Sequence, residues 1–265
     1  MTLTVGSLFS GIGGLDLGLE RAGMRVIWQS EIDPYATRVL AKHWPEVPNY
    51  GDITRIDWRN LVRPDVICGG YPCQPFSLAG VRRGENDPRH LWPYVRDAIS
   101  HLRPRFAILE NVRGHLSLGG LSVLSDLTAL GYNAEWRIVS AASVGANHRR
   151  DRVIIVAYPN SQDESDGPVD EIGMVAYPEV YGGYGRRHPY GMEAGAKDWI
   201  QSALRRSGRH YGGGQNWETE PDVGRVANGV PARVDRLKGL GNAVVPQVAE
   251  VIGRLVIAHA DQNPD

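Results

Sequence analysis

Two cysteine- and carboxylate-bearing segments of this 265-residue chain hold residue types that can do chemistry. Gly69-Gly70-Tyr71-Pro72-Cys73-Gln74-Pro75-Phe76-Ser77 follows the apolar run Val66-Ile67-Cys68, so Cys73 leaves a strand end on a turn flanked by prolines of fixed φ. Ligands of open α/β sheets bind at the carboxyl ends of strands, which makes Cys73 a candidate nucleophile. Cys68, inside the apolar run, is expected to be a small buried hydrophobe. Glu110-Asn111-Val112 follows another apolar run and puts a carboxylate at a strand end, where burial would raise its pKa and let it act as an acid. By itself such a tripeptide would serve as well as a helix cap.

A glycine-rich turn, Ser10-Gly11-Ile12-Gly13-Gly14, separates a β-rich segment from a helix-like one. Gly11, Gly13 and Gly14 would let backbone N–H groups approach a ligand at a helix N-terminus, although a tight turn without a ligand uses the same residues. Glu31 lies 20 residues after Gly11, where a carboxylate can accept hydrogen bonds from the hydroxyls of a ribose. The dinucleotide pattern would need its third glycine at Asp16, so another adenosine-containing cofactor is favoured over NAD.

The elements that must position these residues follow from pattern. Strands are expected over 2–9, 24–30, 64–70 and 106–112, with a closing pair over 131–145 and 152–158. Helices are expected over 15–23, over 35–44 and from about Pro246 onward, with a loop and turn at 51–58. This alternation predicts an α/β fold, a mostly parallel sheet with helices on both faces. Residues 159–223 hold glycine- and tyrosine-rich stretches without a period of 2 or 3.6. The expected division is a cofactor-binding catalytic domain at 1–158, a short recognition region at 159–232 and a segment at 233–265 that packs back onto the first domain.

The 29 Lys+Arg against 30 Asp+Glu exclude a uniformly basic coat, so a polyanion must meet a local patch. With 42% hydrophobic and 22% charged residues, wholesale disorder is excluded as well. Two cysteines five residues apart form neither a disulfide framework nor a zinc pattern, which points to a reducing compartment and no metal. No apolar stretch approaches about 18 residues and the start lacks a signal-peptide pattern, so a cytoplasmic protein without membrane contact is expected.

Taken in order, FSGIGG, the acid of SEID, GDIT, GGYPCQPFS, DPRHLW, ENV, RRDRV and GNAVVP resemble the motifs of the DNA (cytosine-5) methyltransferase family over roughly 1–157 and 224–256. His148 departs from the pattern, standing where the family has a glutamine. The resemblance implies a Rossmann-like methyltransferase fold and S-adenosylmethionine as cofactor. It implies that Cys73 attacks C6 of cytosine while protonated Glu110 donates to N3, with Arg152 on O2 and Arg150 positioning the nucleotide. Around the cofactor it implies Glu31 on the ribose, Asp52 and Ile53 on the adenine, and Phe9 with the glycines on the methionine side. Asn242 and Val244 would close the pocket, and Ser10, Leu15, Ile32, Pro72 and Leu91 would complete its lining.

A base inside a duplex cannot react, so it must be extruded while basic residues hold the backbone. Arg82, Arg83 and Arg89 after the Cys73 turn, with Arg187 and Arg206 in the 159–232 region, read as phosphate contacts, although singly each would be a solvated surface charge. Double-stranded DNA is the implied substrate, with a monomer expected and a restriction endonuclease as an associated partner. The competing readings are the same chemistry on a structured RNA such as transfer RNA, and a non-catalytic nucleic-acid-binding regulator. Intact Cys73, Glu110 and Arg152 argue against the latter.

Overall fold

The computed structural model describes residues 2–72, 91–117, 119–146, 148–160 and 231–263. Cys73, Arg82, Arg83, Arg89, Arg187, Arg206 and most of the expected recognition region lie outside the described residues.

Apolar and β-branched runs bounded by Gly, Pro, Asp or Ser become β1 (Thr4–Leu8), β2 (Arg25–Ser30), β3 (Val66–Gly69), β4 (Phe106–Val112), β5 (Tyr132–Val139) and β6 (Arg152–Pro159). They form one six-stranded sheet in the order β2-β1-β3-β4-β6-β5. The first four are parallel, while β6 is antiparallel to both β4 and β5 and so is the one reversed strand. All six expected strands are present, and the mostly parallel α/β arrangement holds.

Six α-helices are described: α1 (Gly14–Ala22), α2 (Pro34–His43), α3 (Trp92–Leu102), α4 (Gly120–Ala129), α5 (Arg233–Asn242) and α6 (Pro246–Gln262). Asp33 starts α2 by accepting the N–H groups of Tyr35 and Ala36, both at 3.0 Å, with Pro34 at the first position. On one face of the sheet Val5, Cys68 and Ile108 meet Leu19 of α1 and Val248 and Ile252 of α6. On the other, Leu8, Ile67 and Leu109 meet Val95 and Ile99 of α3 and Leu127 of α4. Residues 233–262 hold a window apolar enough to span a membrane, yet half of it is buried inside the protein, as befits a core helix.

Helices α1 and α6 approach closely because small residues line their seam. A Cβ at Gly18 would lie 2.3 Å from the Pro246 carbonyl oxygen and 2.4 Å from Ala249 Cβ. In β2, Val5 pairs with Val26 but Gly6 pairs with Trp28, so Ile27 is an extra residue. This bulge turns Gln29 toward α1. There, fully buried Asp16 accepts from Gln29 Nε2 at 2.8 Å and from Ser7 Oγ at 3.0 Å, and Ser10 Oγ donates onward to Ser7 Oγ at 2.9 Å. One buried carboxylate thus joins β1, β2, α1 and the glycine turn.

Two outcomes follow. Replacing Gly18 by valine must separate α1 from α6 and should cost about 1–3 kcal/mol or more in urea unfolding at unchanged slope; an unaltered midpoint would contradict the seam. Burial pushes Asp16 up to about 6 from an ordinary 3.8. A group raised on folding contributes stability below its unfolded pKa and loses it as pH rises through the folded value. Asp16→Asn should therefore gain stability relative to the native chain between pH 4 and pH 6.5, by about 3 kcal/mol. Denaturation series at each pH read this, and a pH-independent difference would contradict it.

Candidate active site

Register decides what meets what. Ser30 pairs with Leu8, Leu8 with Gly69, and Gly69 with Leu109, so four parallel strands end in line. The next residues, Glu31, Phe9, Gly70 and Glu110, stand along a single edge. From Glu31 to Glu110 is three strand spacings, about 14 Å. Because β6 runs the other way, its first residue, Arg152, arrives at this same edge, opposite Val112 and diagonal to Glu110.

At the β2 end the Glu31 carboxylate is held by backbone donors: Gly11 N at 2.8 Å on Oε2, and Ile32 N at 2.9 Å and Asp33 N at 2.7 Å on Oε1. Oε2 keeps capacity for a further donor such as a hydroxyl. Ile32 is 67% exposed beside it, an apolar side chain open to solvent. Gly11 has φ +57°, and a Cβ there would meet only the Phe9 carbonyl oxygen, at 4.0 Å. Gly51, also at positive φ, faces open space. Asn49 ties these parts together, since its Oδ1 accepts from Glu31 N at 2.9 Å and Gly51 N at 3.0 Å. An oriented carboxylate, an apolar wall and two bare glycine backbones fit the adenosine half of a cofactor.

The other expected cofactor residues divide. Asp52 Oδ1 is engaged by Thr54 N at 2.9 Å and Oγ1 at 2.8 Å. Ile53 and Leu15 turn their side chains into the core, and Gly13 is covered by the Trp44 ring, so these three have only backbone to offer. Ser10 is buried in the Asp16 network. Phe9 holds a strained φ of +51°. Val244 packs its backbone on Gly14, where a Cβ would lie 2.4 Å from the Val244 carbonyl oxygen. Asn242 is exposed at the end of α5, and half-buried Pro72 and Leu91 border segment 73–90.

At the β4 end Glu110, 8% exposed, receives Arg152 Nε on Oε1 at 2.7 Å. Its other oxygen rests on Gly70, where a Cβ would sit 2.6 Å from Oε2. Burial raises the Glu110 pKa, Arg152 and Arg150 pull it back, and burial wins. A raised carboxyl that is held at a strand end and paired with one guanidinium can deliver a proton to a basic ring nitrogen. Cys68 is fully buried and its thiol is pushed upward by burial and by Asp16, so it supplies no thiolate near neutral pH.

Arg150, expected to position the nucleotide, lies beside the end of α5. At φ +39° it sends Nη2 to the carbonyl oxygens of Leu240 at 3.3 Å, Gly241, and Ala243 at 2.7 Å. A cation at the negative end of α5 is favourable, and here it braces the Asn242–Val244 wall. His148 Nδ1 is buried without a hydrogen-bond partner among the described residues. Sequence reading passed over Asn49 and gave Asn111 no role of its own, yet each pins a site turn through its amide. An asparagine two residues before a turn glycine was the available signal for Asn49.

The family model of the C-5 cytosine-specific DNA methylases matches residues 3–191. The chain is 35% identical over 161 residues to the type II methyltransferase M.BsuFI of Bacillus subtilis, covering 59% of this chain and 39% of that protein. It is 39% identical over 175 residues to the type II methyltransferase M.Eco47II of Escherichia coli, covering 62% and 41%. The chain thus spans about two fifths of the length of these relatives. The crystal structure of Spodoptera frugiperda DNMT2 superposes with a TM-score of 0.63 over 97% of this chain and 100% of that one, at 17% identity, a likeness of fold. The matched span takes in the whole sheet edge from Glu31 to Arg152, and on that ground the chain belongs to the C-5 cytosine-specific DNA methylase family.

Proposed function

We propose that the chain methylates C5 of cytosine in double-stranded DNA through a covalent bond from Cys73 to C6 of a base extruded from the helix. The observation that carries this reading is the buried Glu110 carboxyl, raised in pKa and held between Gly70 and Arg152 on the edge it shares with the Glu31 pocket. Glu31, Gly11, Ile32, Asp52 and the backbone of Ile53 would hold S-adenosylmethionine, with Val244 behind the glycine turn. When bound, that group supplies an electrophilic methyl on a sulfonium.

Cytosine C5 is too weak a nucleophile to take that methyl unaided. The Cys73 thiolate forms a bond to C6 as Glu110 gives its proton to N3, and the ring electrons are thereby placed on C5. After C5 is substituted, its proton leaves to a base, the S–C6 bond breaks, and N3 returns its proton to Glu110. Arg152, at 2.7 Å from Glu110, keeps the carboxyl oriented and offers further N–H donors to the base edge. Selection of the DNA sequence is assigned to 159–232, the region without family motifs, which includes Arg187 and Arg206.

A fluorine at C5 cannot leave as a proton, so the native protein should remain attached to 5-fluorocytosine DNA through denaturing electrophoresis when the cofactor is supplied. Cys73→Ser should lose the adduct, because a serine hydroxyl is barely ionised at neutral pH. An equal adduct from Cys73→Ser would sink the covalent reading. Glu110→Gln removes the proton that the carboxyl would give to N3. It should lower kcat by about 10²–10⁴, the usual worth of a positioned proton donor, while calorimetry finds cofactor affinity unchanged. Full activity in Glu110→Gln would remove Glu110 from the reaction.

A further inference from the structure

A carboxylate taken out of water without a counter-charge lowers stability, and a neutral side chain of the same shape in its place would be tolerated better. Asp16 is fully buried, and both of its side-chain partners are neutral: Gln29 Nε2 on Oδ1 at 2.8 Å and Ser7 Oγ on Oδ2 at 3.0 Å. The Gln29 amide presents Nε2 to the carboxylate and leaves Oε1 buried without a hydrogen-bond partner among the described residues. That orientation suits an ionised Asp16, which can only accept. Packing alone gives no reason for a charge at this place.

Both partners lead to the Glu31 pocket. Ser7 Oγ accepts from Ser10 Oγ at 2.9 Å, and the residue after Ser10, Gly11, donates its N–H to Glu31 Oε2 at 2.8 Å. The Ser10 carbonyl oxygen accepts from Gly13 N at 2.9 Å, so one residue sets the glycine turn through both its hydroxyl and its carbonyl. On the other side, Gln29 N donates to the Pro48 carbonyl oxygen at 2.9 Å, and the Gln29 carbonyl oxygen accepts from Tyr50 N at 2.8 Å. Between those two residues stands Asn49, whose Oδ1 accepts from Glu31 N and whose Nδ2 donates to the Glu31 carbonyl oxygen at 3.1 Å. One buried carboxylate is thus bonded toward the turn at 10–14 and toward the turn at 48–51, and Glu31 lies between the two.

The bonds to an ionised Asp16 are charge-assisted; protonation makes them ordinary neutral ones, about half as strong. Burial pushes Asp16 up to about 6, and Glu20 on the same helix adds repulsion. The other elements packed around it bring neutral Ser7 from β1, neutral Gln29 from β2, and Cys68 from β3, whose thiol is pushed upward. Helix α6 brings Glu250 and Arg254 to α1, bonded to each other at 2.7 Å.

We propose that Asp16 is a positioning residue for S-adenosylmethionine: its carboxylate holds Ser10 and Gln29 so that the two turns flanking Glu31 keep the spacing an adenosine needs. The inference rests on the cofactor reading above. It gives a charge that lowers stability a use in binding. It also makes cofactor affinity highest where Asp16 is ionised, with a loss as pH falls through about 6.

Asp16→Asn keeps the shape and an acceptor for Gln29, and presents an N–H donor to Ser7 as the protonated carboxyl does. Ser10→Ala cuts the link from Ser7 to the glycine turn. Calorimetry with S-adenosylmethionine between pH 5 and pH 8 is run on the native chain, both single variants and the double variant, beside urea unfolding and steady-state kinetics on DNA. At pH 8 Asp16→Asn should bind about 3–30-fold more weakly than the native chain while unfolding at higher urea. The two affinities should converge toward pH 5, and the loss at pH 8 should fall on KM for the cofactor with kcat unchanged. The double variant should bind no more weakly than the weaker single one. Native affinity at pH 8 in Asp16→Asn would overturn the inference, as would the same pH dependence in variant and native chain, or fully additive losses in the double variant. A loss of affinity matched by a loss of stability overturns it too, because that marks a merely structural role. Each of these results leaves the cofactor reading standing so long as the native chain binds S-adenosylmethionine; a native chain that does not bind it overturns both.

Discussion

A carboxylate buried at the end of a core strand must find a counter-charge, because an isolated ion taken out of water costs several kcal/mol. Glu110 meets that requirement with Arg152, and much of the architecture serves the pair. Arg152 comes to the edge because β6 is reversed against β4. The carboxylate has room to lie flat because residue 70 is a glycine. Burial still outweighs the two nearby arginines, so the group keeps an affinity for a proton that a solvated glutamate lacks. A stronger counter-charge would make a better ion pair and a worse acid.

The cofactor side is built by the opposite tactic, with neutral backbone donors fixing a charged group. Three N–H groups orient Glu31 without neutralising it, and Asn49 carries that order across to Gly51. Behind it the two ends of the chain are brought together. Val244 rests on Gly14, Arg150 caps the end of α5, and Lys238 of α5 donates to Asp33 at 2.6 Å. The exposed Lys238 pair is individually weak. The seam of Gly18 with Pro246 and Ala249 does more, since it lets α1 and α6 bury a continuous apolar face.

Much of this was legible beforehand because local chemistry and period are strong signals. Six strands, the glycine turn, and the placing of Glu31 and Glu110 at strand ends all follow from alternation, punctuation and length. Helices α3 and α4 were not singled out in the chain, because their amphipathic character shows only once the α3 and α4 face of the sheet exists to receive it. The core placement of Leu15 and Ile53 was hidden for the same reason: a motif position says which residue is near a ligand, and packing says which atoms of it are.

By itself the sequence determined that strands end in chemically competent residues, since the apolar runs of β1, β3 and β4 stop at Ser10, Gly69 and Glu110. Tertiary structure alone decided the rest. Register in the parallel strands set the four ends in line, and the reversal of β6 brought Arg152 to Glu110. The bulge at Ile27 aimed Gln29 at Asp16, and packing set Arg150 on the carbonyl end of α5. Tyr71 and His115, 44 residues apart, were likewise made partners only by the fold. The physical reason is that hydrogen bonds and ion pairs between distant residues depend on which side chains share a desolvated space. That is a property of how elements pack, and no single segment contains it.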